Sequence, residues 1–199
     1  MKKMRSSTLF LVVAVLLLLP LVSAGEVIDQ QQTQGGRLFK LGYAKCFNDP
    51  CTNPKYLTWA EQSFIPQKEK LAKVELRLIA NYAGLYDPCK SNAEKFDVEI
   101  RTTDGDIIAS KNDISVCGLP TKYNSAWTSI PLTAKLIPGE EYKIHVQYKG
   151  NAIWWKKDYQ YNGFVLGWEM SKSNAYAEGK AKTNLWSTNN DFMFKTWGK

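Results

Sequence analysis

Alternation of apolar and polar residues with a period of two runs through several segments of this 199-residue chain. Because successive side chains of a strand point to opposite faces, this pattern predicts strands with one buried and one wet face. After residue 24, no segment shows apolar residues repeating with the period of a helix. The apolar positions of four such segments are Val74, Leu76, Leu78; Phe96, Val98, Ile100; Tyr142, Ile144, Val146, Tyr148; and Phe192, Phe194. The pattern favours antiparallel sheet.

Turn residues separate these segments. Asp104-Gly105 is typical of a hairpin turn, and Pro138-Gly139 has the residue order of a type II turn. Further strands are expected around Arg37–Tyr43, Trp59–Ile65, Ala126–Leu132, Ile153–Trp155 and Gly163–Glu169. About nine or ten short strands without helices predict an all-β fold, an antiparallel two-sheet β-sandwich of jelly-roll type.

The N-terminus has the layout of an export signal. A cationic start, Met1–Arg5, precedes the apolar run Leu9–Val22, and Val22-Ser23-Ala24 offers small residues for cleavage. The run is shorter than the ~20 residues of a spanning helix, although an uncleaved anchor remains the alternative. We therefore expect a signal peptide over residues 1–24 and a single β-sandwich domain over 25–199. The mature protein is expected to be secreted, either extracellular or at the cell surface, with no stable membrane insertion.

Four cysteines follow the signal: Cys46, Cys51, Cys89 and Cys117. An even number of cysteines in an exported chain favours disulfides, and three pairings are open. The short turn closed by Cys46–Cys51 makes that pairing, with Cys89–Cys117, the preferred one. A zinc site is disfavoured because no C-x-x-C pair is present and the chain has one histidine.

The charge of the expected mature chain is modest. Residues 25–199 contain 23 basic and 19 acidic residues, a net charge of +4, and only three of the basic residues are arginines. Dedicated nucleic-acid binding usually needs a concentrated basic face, so no nucleic-acid partner is expected.

Catalytic residues are sparse. The lone histidine, His145, falls on the wet side of its strand pattern, so it is expected to be an ordinary exposed residue. Asp97 and Glu99 share a strand face, as the acid and base of a glycosidase could. Their alternation with core residues favours a solvated face paired with Lys and Arg on neighbouring strands. The chain is therefore predicted not to be an enzyme.

Two acidic turns carry oxygen ligands of the kind that calcium prefers: Asp104-Gly105-Asp106 and Asn189-Asn190-Asp191. Turn formation explains both equally well. No cofactor is expected, and the question of a structural calcium ion is left open.

Aromatic residues concentrate near the C-terminal third of the chain. Trp154 and Trp155 are adjacent, so they cannot both face the core of one regular strand. An exposed ring beside amides and carboxylates can stack on a sugar, although such rings can also cover a sandwich end or a subunit contact. The predicted ligand-binding residues are Trp154, Trp155, Tyr159, Tyr161, Trp168, Tyr176 and Trp186.

Several motifs, in this order, span almost all of the expected mature chain. They are Asp29-Gln30, Gln62-Ser63-Phe64-Ile65-Pro66, Leu71–Leu76, Val98–Arg101, Pro138-Gly139-Glu140-Glu141-Tyr142 and Asp191–Gly198. In these the chain resembles a family of secreted β-sandwich modules in archaeal and bacterial extracellular proteins. The resemblance implies a fold similar in shape to carbohydrate-binding jelly rolls, in a family whose members mostly have no assigned ligand.

These observations support two hypotheses of different classes. The first is a secreted, non-catalytic module that binds a polysaccharide or cell-envelope glycan through the aromatic cluster. The alternative is a structural subunit of the cell surface, a sheath or filament protein, which self-associates by adding its polar segment Glu26–Gly36 to a neighbour's sheet edge.

Overall fold

A computed structural model of the chain describes residues 25–45, 55–80, 94–121, 125–150 and 166–199. These residues form fourteen strands and one short 3-10 turn, Val116–Gly118. The strands are β1 Val27–Gln32, β2 Arg37–Leu41, β3 Tyr43–Lys45, β4 Lys55–Leu57, β5 Trp59–Phe64, β6 Lys70–Ala80, β7 Lys95–Thr102, β8 Ile107–Ser115, β9 Ala126–Lys135, β10 Tyr142–Tyr148, β11 Leu166–Met170, β12 Ala181–Thr183, β13 Ser187–Thr188 and β14 Phe194–Gly198.

Two six-stranded sheets form the sandwich, and all ladders between these strands are antiparallel. The first sheet has the order β1-β14-β6-β11-β2, with β9 paired to β6, and the second has the order β13-β12-β5-β10-β7-β8. Strands β3 and β4 form a separate two-stranded sheet. The predicted all-β sandwich is confirmed, and the strand count is higher than the nine or ten expected because several strands are only two or three residues long.

The core lies between the inner faces of the two sheets. The alternating apolar residues of the sequence fill it, including Val74, Leu76, Phe96, Val98 and Ile144, all fully buried. Removal of this apolar surface from water is the main favourable term in the folding of such a domain.

Turn chemistry agrees with the sequence at two connections, the β7–β8 hairpin and the turn that leads from β9 in the first sheet to β10 in the second. Gly105 follows β7 with a φ of 100°, and Gly139 has a φ of 86°. Glu140 N–H donates to the Ile137 carbonyl at 3.1 Å, which closes the predicted type II turn over Pro138 and Gly139. Both glycines have a backbone conformation that other residues adopt only with strain.

The N-terminal strand, β1, pairs with a strand of the same chain. β1 pairs with β14 from Val27 opposite Gly198 to Gln32 opposite Phe194. The segment Glu26–Gly36 was predicted as a strand that a neighbouring molecule could accept. Its central residues instead complete the first sheet of the same chain.

Candidate functional site

The seven predicted ligand-binding aromatic residues fall into two groups. Trp154, Trp155, Tyr159 and Tyr161 lie outside the residues that the structure describes. Trp168, Tyr176 and Trp186 are described, and the structure places them in three different environments.

Trp168, one of the predicted ligand-binding residues, lies in the core and not at the surface. Its exposed fraction is 0%, and its ring stacks on Phe192 with a centroid distance of 4.4 Å. The indole Nε1–H donates to the Met193 carbonyl at 2.9 Å, so its polar atom is satisfied inside the protein. β11 lies between β6 and β2, and its inward residues are therefore covered from both sides.

Tyr176, another predicted ligand-binding residue, is also buried. Its hydroxyl donates to Gln30 Oε1 at 3.1 Å and accepts from Ile65 N–H at 3.3 Å. Burial raises the pKa of Tyr176 to about 12, so the phenol stays protonated over the ordinary pH range. The residue ties the loop before β12 to β1 and to the end of β5.

Trp186 is the predicted aromatic residue that the structure does place at the surface. Its exposed fraction is 36%, and it lies in the turn between β12 and β13. One edge of its ring meets Phe39 of β2 at a centroid distance of 6.2 Å. Phe39 in turn contacts Phe192 at 5.3 Å, so a row of rings leads from Trp168 in the core out to Trp186.

The turn that carries Trp186 is held by partly buried hydrogen bonds. Thr183 Oγ1 donates to the Trp186 carbonyl at 2.8 Å and accepts from the Trp186 N–H at 3.0 Å. The side chain of Asn184 accepts from Thr58 N–H at 3.2 Å and donates to the Tyr56 carbonyl at 2.6 Å. The turn is thus fixed to β4 and to Thr58, which follows it, and these bonds hold the backbone that carries the exposed indole.

A second group of polar residues lies on the outer face of the second sheet. His145 of β10 is opposite Glu61 of β5 on one side and Glu99 of β7 on the other. Its Nδ1 is 3.3 Å from Glu61 Oε2, and its ring packs against Trp59 with a centroid distance of 5.2 Å. His145 Nε2 is buried and has no hydrogen-bond partner among the described residues.

The burial of these groups differs from the prediction. His145 was expected to be exposed, but its exposed fraction is 3%. Asp97 and Glu99 were expected on a solvated face, and both are buried. The predicted strand face was right for each residue, because all three side chains point away from the core between the sheets. What the alternation cannot reveal is how closely packed the outer face is around them.

Each of the two predicted carboxylates has a cation. Lys149 Nζ lies 2.6 Å from Asp97 Oδ2, and Arg101 Nε donates to Glu99 Oε2 at 2.7 Å. The hydrogen bond to Asp97 raises the pKa of Lys149 above its ordinary value, which keeps this ion pair intact up to alkaline pH. Basic side chains pair with both carboxylates, but Arg101 comes from the same strand as Glu99 and not from a neighbouring strand as predicted.

Glu61 provides a pH-dependent contribution to stability. Its burial acts to raise the pKa of its carboxyl group, but the hydrogen bond with His145 and the charges of Lys143 and Lys182 outweigh burial, so this pKa lies below its ordinary 4.5. The folded protein then binds that proton less readily than the unfolded chain does. Glu61 therefore stabilises the fold above about pH 4.5, and the contribution is lost as the pH falls through the folded-state pKa.

Replacing Glu61 with glutamine is expected to lower the free energy of unfolding at neutral pH by about 1–2 kcal/mol, because a charge-assisted hydrogen bond is lost. In urea unfolding at decreasing pH, the difference from the wild-type protein should shrink once Glu61 itself is protonated. The exposed Glu141→Gln variant is the control and should follow the wild type throughout. A Glu61→Gln difference that stays constant down to acid pH would contradict this account.

Sequence reasoning missed two tryptophans on the outer face of the first sheet. Lys195 Nζ lies 4.3 Å from the Trp127 ring centroid, and Lys73 Nζ lies 4.3 Å from that of Trp197. Glu75 lies between the two lysines, 3.7 Å from each ammonium group. The signal that could have found them is the alternation itself, since both tryptophans are next to inward-facing residues of their strands. Because a lysine covers each ring, this face is a cation–π network.

The remaining predictions concern metal ligands in the acidic turns and insertion into a membrane. Among the described residues, no group of three His, Cys, Asp or Glu side chains could hold a metal ion. Asp191 of the second acidic turn is buried and accepts hydrogen bonds from backbone amides, whereas Asp104 and Asp106 are exposed. In the same part of the chain, no helix is both long and apolar enough to span a bilayer.

Cysteine pairing stays a prediction. Cys117 lies in the 3-10 turn after β8, packs against the core and is not a free thiol. The other three predicted disulfide residues, Cys46, Cys51 and Cys89, lie outside the described residues.

Compared with known proteins, the chain matches no family model, and no curated protein is significantly similar to it. The resemblance to secreted β-sandwich modules therefore stays a prediction that rests on the sequence motifs alone.

Proposed function

We propose that this protein is a secreted, non-catalytic module that binds a polysaccharide or cell-envelope glycan, with Trp186 as a stacking residue. The observation that supports the proposal is the exposed indole of Trp186 on a turn fixed by Thr183 and Asn184. The N-terminal signal predicted from the sequence supports export. The aromatic cluster predicted from the sequence supports contact with a glycan. The alternative, assembly at the cell surface by strand addition, has less support because β1 already pairs with β14.

The chemistry of a sugar suits such a site. One face of a pyranose ring presents C–H groups that pack on an aromatic ring, and its hydroxyl groups seek polar neighbours. A side chain that is already ordered loses little conformational freedom when the ligand binds. The hydrogen bonds that Thr183 makes with both backbone groups of Trp186 order the backbone at this position, and the edge contact with Phe39 supports the ring.

The Trp186→Ala variant is expected to weaken glycan binding about thirtyfold or more, because removal of a central aromatic contact typically costs about 2 kcal/mol or more. The purified protein and the variant would be compared on a glycan array and on insoluble polysaccharides. Trp127→Ala is the matched control, since it removes an indole from the outer face of the other sheet. The Trp127 variant should bind as the wild type does.

Two results would contradict the proposal. One is the absence of retention on every glycan tested. The other is equal binding by the wild-type protein and the Trp186→Ala variant, which would leave the exposed ring without a role in recognition.

A further inference from the structure

We infer that the glycan bound at Trp186 is anionic, and that Lys180 and Lys182 bind its acidic groups. This inference rests on the proposed function and specifies the ligand class of that site. Two exposed lysines lie beside the turn that carries the exposed indole, and neither forms a direct ion pair with a carboxylate in the described part of the chain, although the charge of Lys182 helps to lower the pKa of Glu61.

The alternation of β12 places both lysines on the outer face. Ala181 and Thr183 are buried against the core, whereas Lys180 and Lys182 are exposed. Lys182 is opposite Ser187 in the ladder with β13, and Ser187 directly follows Trp186. The strand pairing therefore places the Lys182 backbone next to the C-terminal end of the turn.

Few acidic groups lie near these lysines, so this part of the surface carries a net positive charge. Glu61 is opposite Lys182 in the ladder with β5, but it is 9% exposed and hydrogen-bonded to His145. Between residues 171 and 190 the chain has three lysines and one acidic residue, Glu178. A carboxylate, sulfate or phosphate on a bound sugar would thus meet positive charge and little repulsion.

The expected contribution of the two lysines to affinity is modest because both are exposed to solvent. An ion pair between solvent-exposed groups is worth about 0.2–1 kcal/mol, so two lysines should change affinity by roughly two- to thirtyfold in total. Salt screens such pairs, since the Debye length falls from about 10 Å at 0.1 M to about 3 Å at 1 M. Stacking on Trp186 is uncharged and should respond little to salt. The two contributions can therefore be separated in one set of measurements.

The test uses matched polymers and matched variants of the purified protein. Polygalacturonate, alginate and hyaluronan are the anionic probes, and methyl-esterified polygalacturonate, hydroxyethyl cellulose and mannan are the neutral ones. We expect tighter binding to an anionic polymer and weaker binding as NaCl rises from about 50 to about 500 mM. The Lys180→Gln/Lys182→Gln variant should lose roughly two- to thirtyfold in affinity.

Lys111→Gln is the control because it removes an exposed charge from β8, at the opposite edge of the same sheet. Equal loss in that variant would overturn the inference, since attraction would then come from overall charge. Tighter or equal binding to the neutral polymers, without an effect of salt, would overturn the inference and leave the proposed function standing. Binding to none of the polymers would overturn both.

Discussion

Replacing Asp191 with alanine is expected to lower the free energy of unfolding by about 3–5 kcal/mol. The carboxylate is 1% exposed, and its Oδ2 accepts the N–H groups of Ala175 and Tyr176 at 2.7 and 2.8 Å. Its Oδ1 accepts from Gln62 Nε2 at 3.3 Å, and Gln62 Oε1 in turn accepts from Phe192 N–H at 2.8 Å. Alanine would leave these buried donors without partners, and an unmade buried hydrogen bond costs more than a made one contributes.

The measurement is urea unfolding monitored by tryptophan fluorescence, with two further variants. Asp191→Asn keeps the volume but turns an NH₂ group or a weaker acceptor toward two donors, so an intermediate loss of roughly 1–3 kcal/mol is expected. Asp106→Ala removes an exposed carboxylate from the β7–β8 turn and should stay within about 0.5 kcal/mol of wild type. If Asp191→Ala proved as stable as Asp106→Ala, the buried network would not hold the loop before β12 in place.

The sandwich could be predicted from the sequence because its main signal is local. Leu76 and Ile144 alternate with polar neighbours in long strands, and Gly139 marks a turn by its chemistry. Short strands such as β12 and β13 carry too few residues to show a period. Their position depends on ladders with distant strands, such as Ala181 opposite Gln62, which no local pattern encodes.

The candidate site was only partly predictable for a related reason. Clustering of aromatic residues in the sequence does not distinguish a core ring such as Trp168 from an exposed ring such as Trp186. That difference comes from sheet order, because β11 is flanked by β6 and β2 whereas Trp186 lies in a turn at the sandwich edge. His145 shows the same limit, since its face was predictable and its burial was not.

Trp168→Ala is expected to lower the free energy of unfolding by about 3–5 kcal/mol, the usual cost of emptying a large aromatic site in a core. The ring is fully buried, stacks on Phe192 at 4.4 Å, and is opposite Phe39 across the ladder between β11 and β2. The substitution would leave a cavity between these rings and would remove the indole donor from the Met193 carbonyl, which also accepts from the Arg77 N–H at 3.4 Å. Chemical denaturation of the variant, compared with Trp186→Ala, measures the effect, and Trp186→Ala should cost less than about 1 kcal/mol.

A third variant separates a core role from a binding role. Trp168→Phe keeps an aromatic ring in the stack but loses the hydrogen bond to Met193, so its stability should fall by roughly 1–2 kcal/mol. Because the ring never reaches the surface, the folded Trp168→Phe protein should bind glycan as the wild type does, while Trp186→Ala shows the opposite pattern of normal stability and weakened binding. Loss of glycan binding in stable, folded Trp168→Phe would instead place the ligand against the core ring, and Trp168 would return to the binding site that the sequence alone predicted.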